Sequence, residues 1–200
     1  MRLNNQTIEG VELVLTNEEV EAHVLGPDLV LKRCRLIFRT TARGLIMTRV
    51  KFVQCHIEAR RKLLNFQEWC ACWLQECAFH GRFVGSDFGH WPEGFGSHGG
   101  IEGGDFSGAT LDGCRFVGCN MNAITLPRWP CFTLLDPVRR MKELQGARWP
   151  GKLDIWVGAL AHSPQTTAAS VEFAPSVAKN YECSEVELKE ALANLNGVVY

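Results

Sequence analysis

The chain has 200 residues, with 21 basic and 22 acidic side chains, so its formal net charge at neutral pH is −1. This balance excludes a uniformly basic nucleic-acid-binding protein and a uniformly acidic mimic of DNA, and the 46% hydrophobic content excludes extensive disorder. The polar residues after Met1 predict no secretory signal, and the absence of any apolar run of about 18 residues predicts no membrane span. An odd number of cysteines, nine, is then typical of reduced thiols, so we expect a cytoplasmic protein.

Acidic and basic residues are separated along the chain. Residues 1–30 contain six acidic and one basic residue, whereas residues 31–60 contain eight basic and one acidic residue. Two interpretations stay open: local compensation on a solvated surface, which we favour, or a patchy surface that binds charged partners. The basic block contains a candidate nucleic-acid patch formed by Arg33, Arg35, Arg39, Arg43, Arg49 and Lys51. Few aromatic residues accompany these side chains, so direct nucleic-acid binding is not our first expectation.

The first segment, residues 1–28, shows a partial alternation of apolar and acidic side chains. Ile8 and Val11 are apolar, and Glu9 and Glu12 follow them. Alternation of this kind is typical of strands with one buried face. We therefore predict one or two strands that start or cap the structure that follows.

A five-residue period dominates the segment from Gly99 to Leu126. Bulky apolar residues recur at every fifth position, at Ile101, Phe106, Leu111, Phe116, Met121 and Leu126. Small residues precede the first five of them by two positions, at Gly99, Gly104, Ala109, Cys114 and Cys119. A period of five matches neither an amphipathic helix nor a strand. It indicates a coil that turns a corner every five residues, with the bulky and the small residue of each unit facing inward. Four such units form a coil of ~20 residues, and successive coils stack about 4.8 Å apart.

The same pattern recurs upstream, with interruptions. Its bulky members there are Leu31, Leu36, Ile46, Phe52, Ile57, Leu74, Phe79, Phe83 and Phe88. Shifts of register between these groups predict bulges or short loops.

With this pattern the chain resembles the pentapeptide-repeat family over roughly residues 29–126. The resemblance implies a right-handed quadrilateral β-helix, so we expect a mainly β solenoid over 29–126, preceded by the cap at 1–28 and followed by a small helical region at 127–200. That family includes DNA-mimicking protectors of topoisomerases and many binding proteins. The resemblance therefore implies a fold and no single function.

Most of the cysteines fit the small inward position of the period, namely Cys34, Cys55, Cys72, Cys77, Cys114 and Cys119. A buried thiol behaves as a small apolar side chain, so we interpret these cysteines as packing residues. The alternative is a metal site formed by Cys70, Cys72, Cys77 and His80, although their spacing matches no standard zinc motif. We therefore predict neither a metal nor a cofactor.

Residues 89–100 form a glycine-rich segment that we expect to be a loop inserted between coils. From Gly94 onward it matches the pattern G-x-G-x-x-G, but it lacks the preceding apolar strand and the following helix of a dinucleotide site. Its aromatic residues Trp91 and Phe95 could form a binding tip or fold back over the solenoid.

The five-residue period ends at Leu126, and the chain beyond it carries helix signals. One predicted helix ends at Gly146, a capping box at Ser184 starts another, and residues 170–181 are a third candidate. The tryptophans of this region are expected to pack against the solenoid: Trp129, Trp149 and Trp156.

No arrangement of serine, histidine and aspartate indicates catalysis, so we expect a binding protein rather than an enzyme. We favour a bacterial immunity protein that neutralises a cognate toxin by covering its active cleft. Pentapeptide-like proteins are found beside secreted bacterial toxins, including nuclease effectors of the type VI system, so the resemblance implies a protein toxin, such as a DNase effector, as partner. An acidic and aromatic surface matches the basic groups of a nuclease. The candidate partner-binding residues are Trp91, Glu93, Phe95, Glu102, Asp105 and Asp112.

Two alternatives stay open. The first is a nucleic-acid or topoisomerase-associated protein that uses residues 32–60. The second is a metal-binding protein or enzyme centred on residues 70–98.

Overall fold

The structure, a computed structural model, describes residues 1–18, 21–92 and 98–200. It is mainly β, with 44% of the residues in strands and 21% in helices. The strands form a β-solenoid of about 5 turns, accompanied by a few short helices. This confirms the mainly β solenoid that the five-residue period predicts.

The strands follow one another with short connections. In the solenoid they are β1 (Arg2–Leu3), β2 (Gln6–Glu9), β3 (Glu12–Leu15), β4 (His23–Leu25), β5 (Leu29–Lys32), β6 (Arg35–Phe38), β7 (Leu45–Met47), β8 (Val50–Val53), β9 (His56–Leu64), β10 (Trp73–Val84), β11 (Asp87–Gly89), β12 (Gly100–Asp112), β13 (Cys114–Val117) and β14 (Ile124–Thr125). Beyond it lie β15 (Cys131–Leu135), β16 (Thr167–Phe173) and β17 (Val198–Val199). The α-helices are α1 (Met141–Gly146), α2 (Leu153–Leu160), α3 (Ala174–Asn180) and α4 (Glu185–Ala193), and short 3₁₀ turns cover Ala42–Gly44, Glu68–Ala71 and Met121–Ala123.

One wall of the solenoid is a parallel sheet of β2, β5, β8 and the first parts of β10 and β12. From Gln6 to Gly100, paired residues on successive coils are 23, 21, 22 and 27 residues apart. The longest coil contains the glycine-rich segment 89–100, of which residues 93–97 lie outside the described part of the chain. Strands β3 and β6 with parts of β9 and β10 continue the coils on the next wall.

Each coil turns at corners where one residue adopts a left-handed backbone conformation. At the corner after the first wall, φ is positive at Gly10, Arg33, Gln54, Glu76 and Gly103, which occupy equivalent places in successive coils. Such a conformation costs energy for residues other than glycine. Backbone N–H groups at this corner donate hydrogen bonds to carbonyl oxygens of the adjacent coil, and these bonds offset part of the cost.

The interior of the solenoid contains the bulky members of the five-residue period. Phe106, Leu111 and Phe116 are all fully buried. The ring centroids of Phe106 and Phe116 lie 5.1 Å apart, and Phe79 of the preceding coil stacks on Phe106 at 4.3 Å. Trp69 joins this aromatic core from the 3₁₀ turn before β10. These side chains share one interior, as the period predicts.

The predicted register is wrong between Leu36 and Phe52. Ile46 is 47% exposed, whereas its neighbours Leu45 and Met47 are buried. The cause is the 3₁₀ turn Ala42–Gly44, after which the chain resumes one residue out of the expected register. A shift of one residue reverses the face to which every side chain of a strand points.

The chain after the solenoid contains strands as well as helices. Strand β16 pairs antiparallel with β13 and with β15, so it covers an edge of the solenoid that would otherwise expose unpaired backbone groups. Residues 170–173, expected to be helical, belong to β16, and α3 begins only at Ala174. The capping box of Ser184 and Glu187 is present at the start of α4, as predicted. Among the described residues, no helix has the length and apolar character needed to cross a bilayer.

Candidate functional site

Half of the candidate nucleic-acid patch, namely Arg33, Arg35 and Arg49, is neutralised by acidic residues of neighbouring coils. The cross-coil ion pairs are Arg33–Glu9, Arg35–Glu12, Arg35–Glu58 and Arg49–Asp28. Sequence separations of 21 to 24 residues correspond to one coil, so the acidic first block stacks against the basic second block. This confirms local compensation for these arginines. Because the pairs are exposed, each contributes little to stability, about 1 kcal/mol or less.

Trp91 belongs to a small cluster at the start of the glycine-rich segment. The guanidinium of Arg115 lies 5.1 Å from the centroid of the Trp91 ring, and the same guanidinium makes two hydrogen bonds, of 2.7 and 2.8 Å, to Asp87. Trp91 is only partly buried. The other two residues predicted for this tip, Glu93 and Phe95, lie outside the described residues.

The three acidic residues predicted for partner binding, Glu102, Asp105 and Asp112, all lie on β12 and have different environments. Glu102 is exposed. Asp105 is also exposed, and it accepts a hydrogen bond of 2.9 Å from the backbone N–H of Ser107. Hydrogen bonds from Ser107 hold the pKa of Asp105 below its ordinary value. Asp112 is mostly buried and forms an ion pair, so it is not accessible to a partner. Glu102 and Asp105 are accessible because both are exposed.

Asp112 helps to join the solenoid to the C-terminal segment. Arg82 contacts its carboxylate at 3.0 Å, and the Ser176 hydroxyl of α3 donates to it at 2.8 Å. Next to this group, Glu172 of β16 accepts hydrogen bonds from the Ser170 hydroxyl and the Gly113 N–H, at 3.0 and 3.1 Å. Burial raises the pKa of Glu172 to about 7, although these hydrogen bonds lower it. The junction therefore contains a carboxyl group that titrates near neutral pH.

The thiols considered for a metal site are packed in the interior. Cys70, Cys72 and Cys77 are all buried, and burial raises the pKa of Cys70 to about 12. The pKa of Cys72 is raised further, also by burial. Thiols in this environment stay protonated and bind metal poorly. The described part of the chain contains no group of three or more metal-ligating side chains.

A groove of about 430 Å³ lies along the outer face of α4, and we call it the α4 groove. Its lining residues are Trp129, Glu185, Val186, Lys189, Glu190, Ala193 and Tyr200. Val186 is 66% exposed, and the rings of Trp129 and Tyr200 meet edge-to-face with centroids 5.9 Å apart. Leu188 and Leu192 lie on the opposite, buried face of the helix. The helix therefore carries a second apolar strip that faces solvent.

The rim of the α4 groove is acidic. Glu185 and Glu190 line the groove and are exposed, with no ion-pair partner within the described residues. The ammonium group of Lys189 lies over the two aromatic rings, 4.8 Å from Trp129 and 5.6 Å from Tyr200. The positive charge of Lys189 thus interacts with the aromatic rings of the groove floor. The groove combines an apolar floor with exposed carboxylates.

The α4 groove has no complete local signal in the sequence, because Trp129 of its floor lies more than fifty residues before α4. Trp129 was expected to pack against the solenoid, whereas it is half-buried beside α4. A usable signal is Val186, an apolar residue on the polar face of a helix whose buried face is defined by leucines. Comparison with protein-family models, curated proteins and solved structures found no match for this chain.

Proposed function

We propose that the protein is a non-catalytic binding protein that captures a basic protein partner through the α4 groove, and that it serves as an immunity protein for a cognate toxin. The observation that carries this proposal is the exposed apolar floor of the groove with its acidic rim. The fold agrees with it, because a β-solenoid is a rigid frame suited to binding macromolecules.

The floor of the groove favours a protein partner. Tryptophan and tyrosine are enriched among the residues that dominate binding energy at protein interfaces. Full burial of an exposed valine contributes about 1.5–3 kcal/mol, and Val186 is available for such a contact. An aromatic pair beside an exposed aliphatic side chain therefore provides the apolar centre of an interface.

The rim of the groove favours a basic partner. Glu185 and Glu190 gain ion pairs only if the partner places arginine or lysine side chains at the edge of the contact. Glu102 and Asp105 add exposed carboxylates on β12, so acidic residues predicted for partner binding stay candidates for a wider interface.

The immunity role is the finer part of the proposal. It is supported by the likeness of the five-residue period to pentapeptide-repeat proteins, some of which are found beside secreted toxins. It is also supported by charge, because a nuclease binds its phosphate backbone with basic side chains, and an acidic surface can cover such a cleft.

The experiment is affinity capture from cells that produce the protein natively, followed by identification of the partner and titration with purified components. Val186→Glu places a charge in the apolar floor and should weaken binding at least about 30-fold. Ile155→Glu is the matched control, since Ile155 is 60% exposed on α2 and lies outside the groove. This control should bind within about twofold of the parent.

The immunity role makes a separate prediction for cells. The captured partner should arrest growth when it is expressed alone, and co-expression of the parent protein, but not of Val186→Glu, should restore growth. A partner that binds Val186→Glu as tightly as the parent contradicts the groove. A partner that binds through the groove but is harmless contradicts the immunity role and leaves the binding function intact.

A further inference from the structure

A second cleft, of about 550 Å³, lies on the early coils and is rich in arginine. We call it the arginine cleft, and its lining residues are Thr16, Asn17, Glu18, Arg39, Arg60 and Arg61. Among the described lining residues, three guanidinium groups thus face one carboxylate. A volume of this size is typical of sites for small ligands.

Like charges stack across coils in this cleft, in contrast to the ion pairs elsewhere on the solenoid. Phe38 and Ala59 are paired residues of adjacent coils, so Arg39 and Arg60, which directly follow them, occupy equivalent positions. Stacked coils lie about 4.8 Å apart, and two cations at that separation repel each other. Arg60 is compensated by Glu58 at 2.6 Å, whereas Arg39 has no ion-pair partner within residues 1–18, 21–92 and 98–200.

A bulge in β9 supplies the remaining positive charge. In the pairing of β10 with β9, Gly81 lies opposite Ala59 and Phe83 lies opposite Leu63. Three residues of β9 therefore lie opposite the single residue of β10 between these two pairs. Those three residues are 60–62, all of them basic, and all of them are exposed. Bulges redirect side chains and are frequent beside functional sites. The bulge therefore brings one further arginine, Arg61, to the cleft.

The opposite wall of the cleft is fixed by side-chain hydrogen bonds. His23 bonds through Nε2 to the carbonyl oxygen of Thr16 at 2.8 Å, and the Thr40 hydroxyl donates to the amide oxygen of Asn17. The backbone at Gly44 packs so closely that a Cβ there would lie 2.2 Å from the Thr40 hydroxyl oxygen. The polar groups of Thr16 and Asn17 are thus held in place beside the arginines.

We propose that the arginine cleft binds a compact polyanion that carries adjacent phosphate groups. The guanidinium groups form charge-assisted hydrogen bonds with phosphate oxygens, and an anion relieves the repulsion between stacked arginines. The lining residues that the structure describes include no aromatic ring to stack with a base, so recognition is directed at phosphate. Glu18 limits the site to ligands whose charge outweighs one carboxylate.

The test is isothermal titration calorimetry of the full chain with sodium tripolyphosphate at low and at moderate salt. Arg39→Gln and Arg61→Gln should each weaken binding at least about tenfold. The matched control is Lys51→Gln, which removes the same charge from an exposed position of β8 outside the cleft. That control should stay within about twofold of the parent. Thermal unfolding of each variant verifies that it folds.

A second arm of the experiment separates the two sources of adjacent phosphates. Single-stranded oligonucleotides compete with tripolyphosphate if the natural ligand is a nucleic-acid backbone, whereas failure to compete identifies a free polyphosphate or nucleotide-type ligand. Absence of binding to both probes at low salt overturns the proposal. An equal loss in Lys51→Gln and Arg61→Gln also overturns it, because the attraction would then be general and not localised in the cleft.

Discussion

The buried carboxyl group at the junction makes the stability of the fold depend on pH. Glu172 is 7% exposed, and its pKa is raised by burial from 4.5 to about 7. Between those two pH values the folded chain binds a proton that the unfolded chain has already released. The contribution of this proton to the free energy of unfolding is therefore fully present below about pH 4.5. It decreases as the pH rises from there and is lost once the pH has passed about 7.

The magnitude follows from the difference in pKa. A difference of about 2.5 corresponds to about 3 kcal/mol, at about 1.4 kcal/mol for each pH unit over which the two states differ. Glu172→Gln removes the titration. The amide cannot accept both hydrogen bonds that Ser170 and the Gly113 N–H donate, which costs about 1 kcal/mol at every pH. The variant should thus be about 1 kcal/mol less stable than the parent near pH 4 and about 2 kcal/mol more stable near pH 8.

The assay is urea-induced unfolding of parent and variant at a series of pH values, followed by tryptophan fluorescence. The decisive quantity is the difference between the two free energies of unfolding, because pH effects of other groups cancel in it. Glu102→Gln, at an exposed position of β12, is the control for loss of a surface carboxylate and should change the free energy of unfolding by less than about 0.5 kcal/mol. A difference that stays constant for Glu172→Gln between pH 4 and pH 8 refutes the argument. Such a result would mean that burial does not raise the pKa of Glu172 in the folded chain.

Three further predictions concern packing, corners and caps. Phe79→Ala should destabilise the fold by about 3–5 kcal/mol in urea unfolding, whereas Leu64→Ala, at a position 49% exposed, should cost less than about 1 kcal/mol. Gly81→Ala should lower the melting temperature, because φ is +98° and the added Cβ would lie 2.1 Å from a carbonyl oxygen of the adjacent coil. Gly146→Ala, with nothing within 4 Å, should not lower it. Ser184→Ala should lower the free energy of unfolding by about 1 kcal/mol through loss of the capping box.

The solenoid was predictable because its signal is local. Each inward residue, such as Phe106 or Phe116, lies five residues from the next, so a short window contains the full pattern. The pattern fails where corners take additional residues, as at Ile46 after its 3₁₀ turn. Coil lengths that vary between 21 and 27 residues have no comparable local signal, so cross-coil partners could not be assigned from sequence.

The candidate sites were less predictable because each one depends on contacts between distant residues. The α4 groove joins Trp129 to a helix more than fifty residues later. The arginine cleft depends on how Arg39 of one coil meets the bulge 60–62 of the next. Glu172 became a buried titrating group only because its segment forms a strand against the solenoid and not the expected helix.

The two proposed sites can be separated because they use different parts of the chain. The lining residues of the arginine cleft lie between Thr16 and Arg61 in the sequence, whereas those of the α4 groove lie between Trp129 and Tyr200. Arg61→Gln should therefore abolish most tripolyphosphate binding and leave capture of the basic partner unchanged, and Val186→Glu should do the reverse. If one substitution weakens both ligands, the protein has a single charged surface that both share. Titration of each variant with each ligand distinguishes these cases, because a common surface predicts competition and separate sites predict independent binding.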